Sequence, residues 1–287
     1  MSVDVAVPWP PAFFELTGEH ISPARHKGQQ SWYVRGQNFV TVLTWAADGE
    51  LLAESSAPDE HAIVVPVGVE IDIATSSGDH ARAAGAALVV VPPGDVEVTV
   101  RRAGYLLRIF TARNEVLAKA VNRATYGQAN DAVTPLPDTP TTPGPGTLRV
   151  ISMADVEEVP GRLGRIYRTD SLMINWFAPQ NGPRDTDALS PHVHDDFEQA
   201  SVTLAGDYVH HLRRPWTKRM RDWRPDEHVQ VTSPSVTLIP PGNIHTTRAV
   251  GRGTHQLIDI FAPPRADFIE HGWVLNQTDY EPTTKEN

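Results

Sequence analysis

The sequence predicts an all-β protein: two tandem barrels, with a short helix and a Pro-rich linker between them. Three observations carry this reading. Short runs of β-branched and apolar residues recur between turn signals along most of the chain. Glycine and proline number 20 and 25 among 287 residues, which suits a turn-rich β protein better than a helical bundle. One order of strands and turns also occurs twice, and the length fits two domains.

In the first half, Phe39–Trp45, Ala62–Ile73, Ala87–Val91 and Val96–Val100 read as strands. Ala112–Ala124 carries the helical pattern, with Val116, Leu117, Ala120, Val121 and Ala124 on one stripe. Between Asp131 and Thr147 lie Pro135, Pro137, Pro140, Pro143 and Pro145, with Gly144 and Gly146. Repeated prolines remove backbone donors and fix φ, so this stretch reads as a semi-rigid linker. Residues 1–130 then form one domain, 131–147 the linker and 148–287 the second domain. The second half offers Leu172–Phe177, Phe197–Leu204, Asp207–Leu212, Val229–Val231, Val236–Ile239 and Gln256–Phe261 as strands.

Composition removes several function classes. Cysteine is absent, which excludes disulfides, thiolate nucleophiles and Cys-ligated metals. The net charge of −10 repels phosphate backbones, so no nucleic-acid partner is expected. The N-terminus lacks a basic and apolar leader, and no apolar run is long enough for a membrane helix. A cytoplasmic protein is the expectation.

The repeat is specific. Leu88–Glu97 parallels Val236–His245 through an apolar run ending in Pro-Pro-Gly, and Leu107–Ala112 parallels Ile258–Pro263. Glu60 stands eight residues before Gly68, and Glu198 eight before Gly206. The second copy is longer between its glycine and its Pro-Pro pair, and the extra residues fall near Arg213–Asp226. That insertion holds Arg213, Arg214, Lys218, Arg219, Arg221 and Arg224 with Trp216 and Trp223. It reads either as a cationic lid for a carboxylate or phosphate substrate, with Arg213, Arg214 and Trp216 as candidate substrate contacts, or equally as a solvated loop or a contact with an acidic subunit face.

Seven of twelve histidines lie between 192 and 255. On a strand, His192 and His194 project to one side. Glu198 can return toward the same point, and His245 follows a Pro-Pro-Gly turn. Three imidazoles and a carboxylate suit one divalent transition metal: Fe, Mn, Zn, Ni or Cu.

With these residues in place, the chain resembles the cupin superfamily. That family's first motif is His-x-His, three or four residues, Glu, about six residues and Gly; here His192, His194, Glu198 and Gly206 match. The interval from Glu198 to Gly206 is one residue longer than usual. The second motif, Pro-x-Gly-x-x-His, is matched by Pro240, Gly242 and His245, while Ala249 stands where an Asn often follows. With the repeat, the resemblance is to a bicupin. It implies jelly-roll (double-stranded β-helix) barrels, a metal held by His192, His194, Glu198 and His245, and a homodimer. In the first copy the matched positions are Glu54, Ser56, Glu60 and Glu97, so that barrel is expected to be structural. His61 is expected to face outward.

His210, His211 and Arg248 are candidate acid–base or substrate-binding groups near the site. The resemblance implies an iron-dependent non-haem dioxygenase acting on a small anionic or enolisable molecule. Alternatives are a non-redox isomerase, decarboxylase or lyase, and a small-acid sensor.

Overall fold

In the computed structural model, which describes residues 7–140, 142–156 and 164–281, the chain folds almost entirely as antiparallel strands. Residues 1–6 of the N-terminus and Thr141 of the linker lie outside the described residues. The strands before the linker are β1 (Ala12–Glu15), β2 (Ala24–His26), β3 (Gln29–Arg35), β4 (Phe39–Ala46), β5 (Leu51–Ala57) and β6 (His61–Val65). After them come β7 (Glu70–Thr75), β8 (His80–Ala84), β9 (Ala87–Val91), β10 (Gly94–Arg102) and β11 (Gly104–Thr111). Beyond the linker are β12 (Arg149–Ser152), β13 (Gly164–Arg168), β14 (Met173–Phe177), β15 (Gln180–Asn181) and β16 (Gln199–Ala205). β17 (Asp207–Arg213), β18 (Glu227–Val231), β19 (Ser235–Ile239), β20 (Ile244–Val250), β21 (Thr254–Phe261) and the short helix α1 (Ala266–Glu270) complete the described fold.

Two local expectations are corrected. The run Ala62–Ile73 is two strands, because Pro66 has no amide donor and Gly68 takes φ +88° in the turn between them. The stripe within Ala112–Ala124 forms two 3₁₀ turns, Glu115–Lys119 and Arg123–Tyr126, rather than an α-helix. Asn114 caps the first by accepting from the Val116 N–H, and the chain is extended again at Ala120. The apolar stripe survives as packing: Val116 and Ala120 bury against Val40 and Val42.

The repeat is visible in sheet order. One large sheet runs β12-β9-β6-β11-β4-β3-β2 and the other β1-β19-β16-β21-β14-β13. Each barrel is closed by a smaller sheet, β5-β10-β7-β8 or β18-β17-β20. The chain crosses between barrels at both edges. β1, ahead of the first barrel in sequence, pairs with β19 of the second, while β12, beyond the linker, pairs with β9 of the first. Sheet membership therefore does not follow the linker.

The large sheets pack face to face. Leu43, Ala62, Leu88 and Leu107 from one, and Ile174, Ala200, Leu238 and Ile258 from the other, share the largest core. Burying each large aliphatic side chain there stabilises by about 1.5–3 kcal/mol. Removing residues 1–16 should lower the urea midpoint and promote self-association, because β19 becomes an open edge and Leu16 leaves the core. Denaturation curves and size-exclusion chromatography check this; an unchanged midpoint would rule out a stabilising role for β1.

The barrel interiors differ in kind. Ile63, Val65, Ile71, Ile73, Val89 and Val98 fill the first. In the second, the register places Ser201, Thr203, Thr237 and Asp259 where the first has Ile63, Val65, Val89 and Arg108. Aliphatic packing closes one barrel, while polar side chains line the other. Among the described residues, no helix is long and apolar enough to cross a membrane.

Candidate metal centre

His192, His194 and His245 converge, with one ligand atom of each within 4.8 Å of the others. The backbone holds them there. His192 and His245 exchange N–H···O bonds of 3.0 and 2.8 Å, and Gly242 N–H donates to His194 O at 2.7 Å. Gly242 makes that turn at φ +80°, a conformation that favours glycine. His192 Nδ1 meets Ser190 O and His245 Nδ1 meets Asn243 O, both at 2.9 Å. A carbonyl only accepts, so each Nδ1 carries the proton and each Nε2 presents a lone pair. Among the described residues His245 Nε2 is buried with no hydrogen-bond partner, which suits it to bind a cation. Burial lowers His194 to about 3 and His245 to about 4, so both rings are neutral ligands near pH 7.

The fourth expected donor is corrected. Glu198, just ahead of β16, is buried facing away from the triad, where it accepts from Tyr126 OH (2.6 Å) and Gln37 N–H (2.7 Å). Gln199 faces the triad instead, its Oε1 2.9 Å from His194 Nε2. Side chains alternate along a strand, so adjacent residues cannot both face inward. The overlong Glu198–Gly206 interval was the signal, since counting from Gln199 restores six intervening residues. Three imidazole nitrogens fit a divalent transition metal, with no carboxylate in the group and the Gln199 amide beside it.

The site opens on a cavity of about 250 Å³ with an apolar side that includes Phe177, Tyr208, Ala249 and Leu257. Arg184 and Asp259 also line it, and neither was read from sequence as functional. Arg184 donates to Thr247 O, Ala188 O and Ser190 Oγ. Asp259 is buried, accepts from Ser201 Oγ at 2.6 Å, and is raised by burial to about 7, the Ser201 bond opposing the rise. A folded pKa above the unfolded value contributes stability below about pH 4, and that stability is lost as pH rises through about 7. Asp259→Asn should therefore stabilise the metal-free protein near pH 8 by about 1–3 kcal/mol, with little effect near pH 4. Urea denaturation at both pH values checks this, and equal effects at both would contradict the buried, raised carboxyl.

The other expected site residues lie outside this cavity, although His211 and Arg213 line a second one that also includes His245 and Thr246. Alternation on β17 buries Tyr208, His210 and Leu212 and turns His211 and Arg213 outward. His210 contacts Thr247 Oγ1 at 2.9 Å, with its pKa lowered by burial to about 3, but it does not line the cavity. His211 meets His228 on the outer face, and Arg248, opposite Val209 in register, is also outside the cavity lining. Arg213 is held by Asp226 and Arg214 by Glu227, while Trp216 stacks on Trp223 at 4.5 Å. The cationic insertion thus contributes no residue to the cavity lining. In the first barrel, Glu54 pairs with Arg108. His61 is corrected from outward-facing to buried: it stacks on Phe110, and burial lowers it to about 3.

No family model matches the chain, and no curated protein matches it. Solved structures do. AerE from Microcystis aeruginosa aligns at TM-score 0.57 and 10% identity, over 85% of this chain and 97% of that one. The oxalate decarboxylase of Lactobacillus farciminis, in a formate complex, aligns at 0.56 and 11%, over 92% and 88%. The protein Ylba from E. coli aligns at 0.56 and 11%, over 92% and 95%. At such identities the likeness is one of fold. Two equivalent barrels packed through their large sheets, with a histidine triad in the second that could bind a metal, give this chain the bicupin fold.

Proposed function

We propose that the second barrel is a metal-dependent catalytic centre for a small anionic, chelating substrate, working by non-redox chemistry. The carrying observation is a convergent triad of imidazoles, of which His192 and His245 line a partly apolar cavity together with Gln199. When bound, a divalent metal would act as a Lewis acid on a carboxylate or carbonyl oxygen. Because none of its ligands carries charge, the centre keeps its full positive charge and favours an anionic substrate. Arg184 adds a cation to the lining, and the apolar wall limits water. An anionic ligand would stabilise a higher metal oxidation state; its absence favours isomerase, decarboxylase or lyase chemistry. Oxalate decarboxylases among the structural neighbours support a small-carboxylate substrate class.

The iron-dependent dioxygenase is the second reading, favoured by Phe177, Ala249 and Leu257, which provide a dry wall beside the metal ligands. The test is to identify the metal in purified protein, then screen small carboxylates and diketones with and without oxygen. Anaerobic turnover with zinc or manganese supports the first reading. Oxygen consumption requiring ferrous iron supports the second. Ligand-induced stabilisation without turnover on any metal would make the protein a sensor.

A further inference from the structure

Asp259 lines the same cavity as His192 and His245, yet it holds none of the three histidines. It stands on β21 opposite Ser201 of β16, whose hydroxyl donates to Oδ1 at 2.6 Å. Gln199 Nε2 donates to that same hydroxyl at 3.0 Å, while Gln199 Oε1 meets His194. Two hydrogen bonds therefore join the carboxyl to the amide beside the metal ligands. The residue is 7% exposed and lines the cavity. Asn175 of β14 faces it in register, His255 shares its strand face, and Tyr208 of β17 is near enough that the Asp259 charge raises its phenol further. His192, His245 and Arg184 are the remaining charged or titratable groups of the lining. Among the described residues no cation pairs with Asp259.

A carboxyl buried without a counter-ion is an expensive way to support one serine. An amide would accept the same hydrogen bond without the penalty of burying charge. Burial has instead made this group one that changes protonation near neutrality, the property a general acid–base needs.

We propose that Asp259 is the proton-transfer group of this cavity, exchanging a proton with a small acid bound beside the triad. In the forward step, an acidic C–H or O–H of the bound molecule gives its proton to a carboxylate oxygen of Asp259. The electron pair stays on the substrate as an enolate or alkoxide. The return step delivers the proton from the carboxylic acid to the product. The inference rests on the anionic-substrate reading above, and it names the group that would serve that chemistry.

Oxalate, the smallest chelating dicarboxylate, is the probe. Its binding to zinc-loaded protein is followed by titration calorimetry at about pH 7.5, in buffers of different ionisation enthalpy. A bound dianion raises the affinity of a neighbouring carboxylate for a proton. The wild type is expected to take up more protons per oxalate than D259N, by at most about three quarters of a proton at this pH, with D259E restoring most of the difference. Equal proton uptake by wild type and D259N, with oxalate bound to both, overturns the proposal. Failure of oxalate to bind zinc-loaded wild type overturns the anionic-substrate reading, and the proposal with it. D259N should retain one zinc, showing that its fold and donor set are intact; loss of zinc would make Asp259 a support for the ligands and overturn its proton-transfer role.

Discussion

Replacing His245 with alanine is expected to abolish stoichiometric metal binding, while Glu198→Gln leaves the stoichiometry unchanged. His245 supplies a buried Nε2 with no hydrogen-bond partner among the described residues, oriented by the bond from its Nδ1 to Asn243 O. Loss of a group that merely orients a ligand weakens metal affinity by about 10–100-fold, so loss of the ligand itself should exceed about 100-fold. Glu198 has a different task. Its two oxygens are occupied by Tyr126 OH and Gln37 N–H, and Gly36 lies so close that a Cβ there would meet Oε2 at 2.6 Å. Glutamine keeps one acceptor and nearly the same shape, so its effect should be on stability. Metal content after dialysis, with circular dichroism as the folding control, separates the two variants. Retention of metal by the alanine variant would remove His245 from the donor set; its loss from a folded Glu198→Gln variant would restore Glu198 to it.

The same one-residue difference explains which parts of the site were legible. His192, His194 and His245 were readable because their spacing and the Pro-Pro-Gly turn are local features. Strand parity is harder, since a slip of one residue exchanges the two faces. Taking Glu198 as inward-facing, and hence Glu60, forced His61 outward; in the fold, Gln199 and His61 are the residues that begin β16 and β6. The run Ala200-Ser201-Val202-Thr203 looks like a strand with a wet face and a dry face. Here the apolar side chains face the neighbouring sheet and the polar ones face the barrel interior, so alternation alone misassigns inside and outside. Asp259, between Ile258 and Ile260, was hidden for the same reason. The crossing strands were hidden by distance: nothing near Ala12 announces that it will pair with Leu238. The β-branched runs and the repeat required no such long-range information.

Glu60→Ala should be among the most destabilising substitutions in the chain, although no metal site lies nearby among the described residues. The first copy lost its imidazoles but kept this glutamate, and the packing between barrels supplies a reason. Glu60 is 1% exposed and accepts from Asp170 N–H (2.9 Å), Tyr280 OH (2.8 Å) and Arg149 Nη2 (2.9 Å). Arg149 and Arg168 lie against the Tyr280 ring at 4.9 and 4.4 Å. The second copy's glutamate has the corresponding setting: Glu198 is held by Tyr126, whose ring carries Arg35 at 4.7 Å. Asn122 brackets the backbone of Arg35 as Asn276 brackets that of Arg168. Each glutamate is thus clasped by residues from beyond its own barrel strands. Truncating one partner of a buried ion pair costs about 3–5 kcal/mol, because the other charge is left without its counter-ion. Two features reduce that figure: Arg149 keeps Asp279, and Asp170, raised to about 6 by burial and then by the Glu60 charge, is relieved of a like-charged neighbour. A loss near 3 kcal/mol in urea denaturation is therefore expected, with metal stoichiometry unchanged in the folded fraction. A double-mutant cycle with Tyr280→Phe should show coupling above about 0.5 kcal/mol, since both changes remove the same hydrogen bond. Additive effects, or a loss for Glu60→Ala below about 1 kcal/mol, would mean that the two barrels hold together through their apolar sheets alone and that the repeated glutamate needs another explanation.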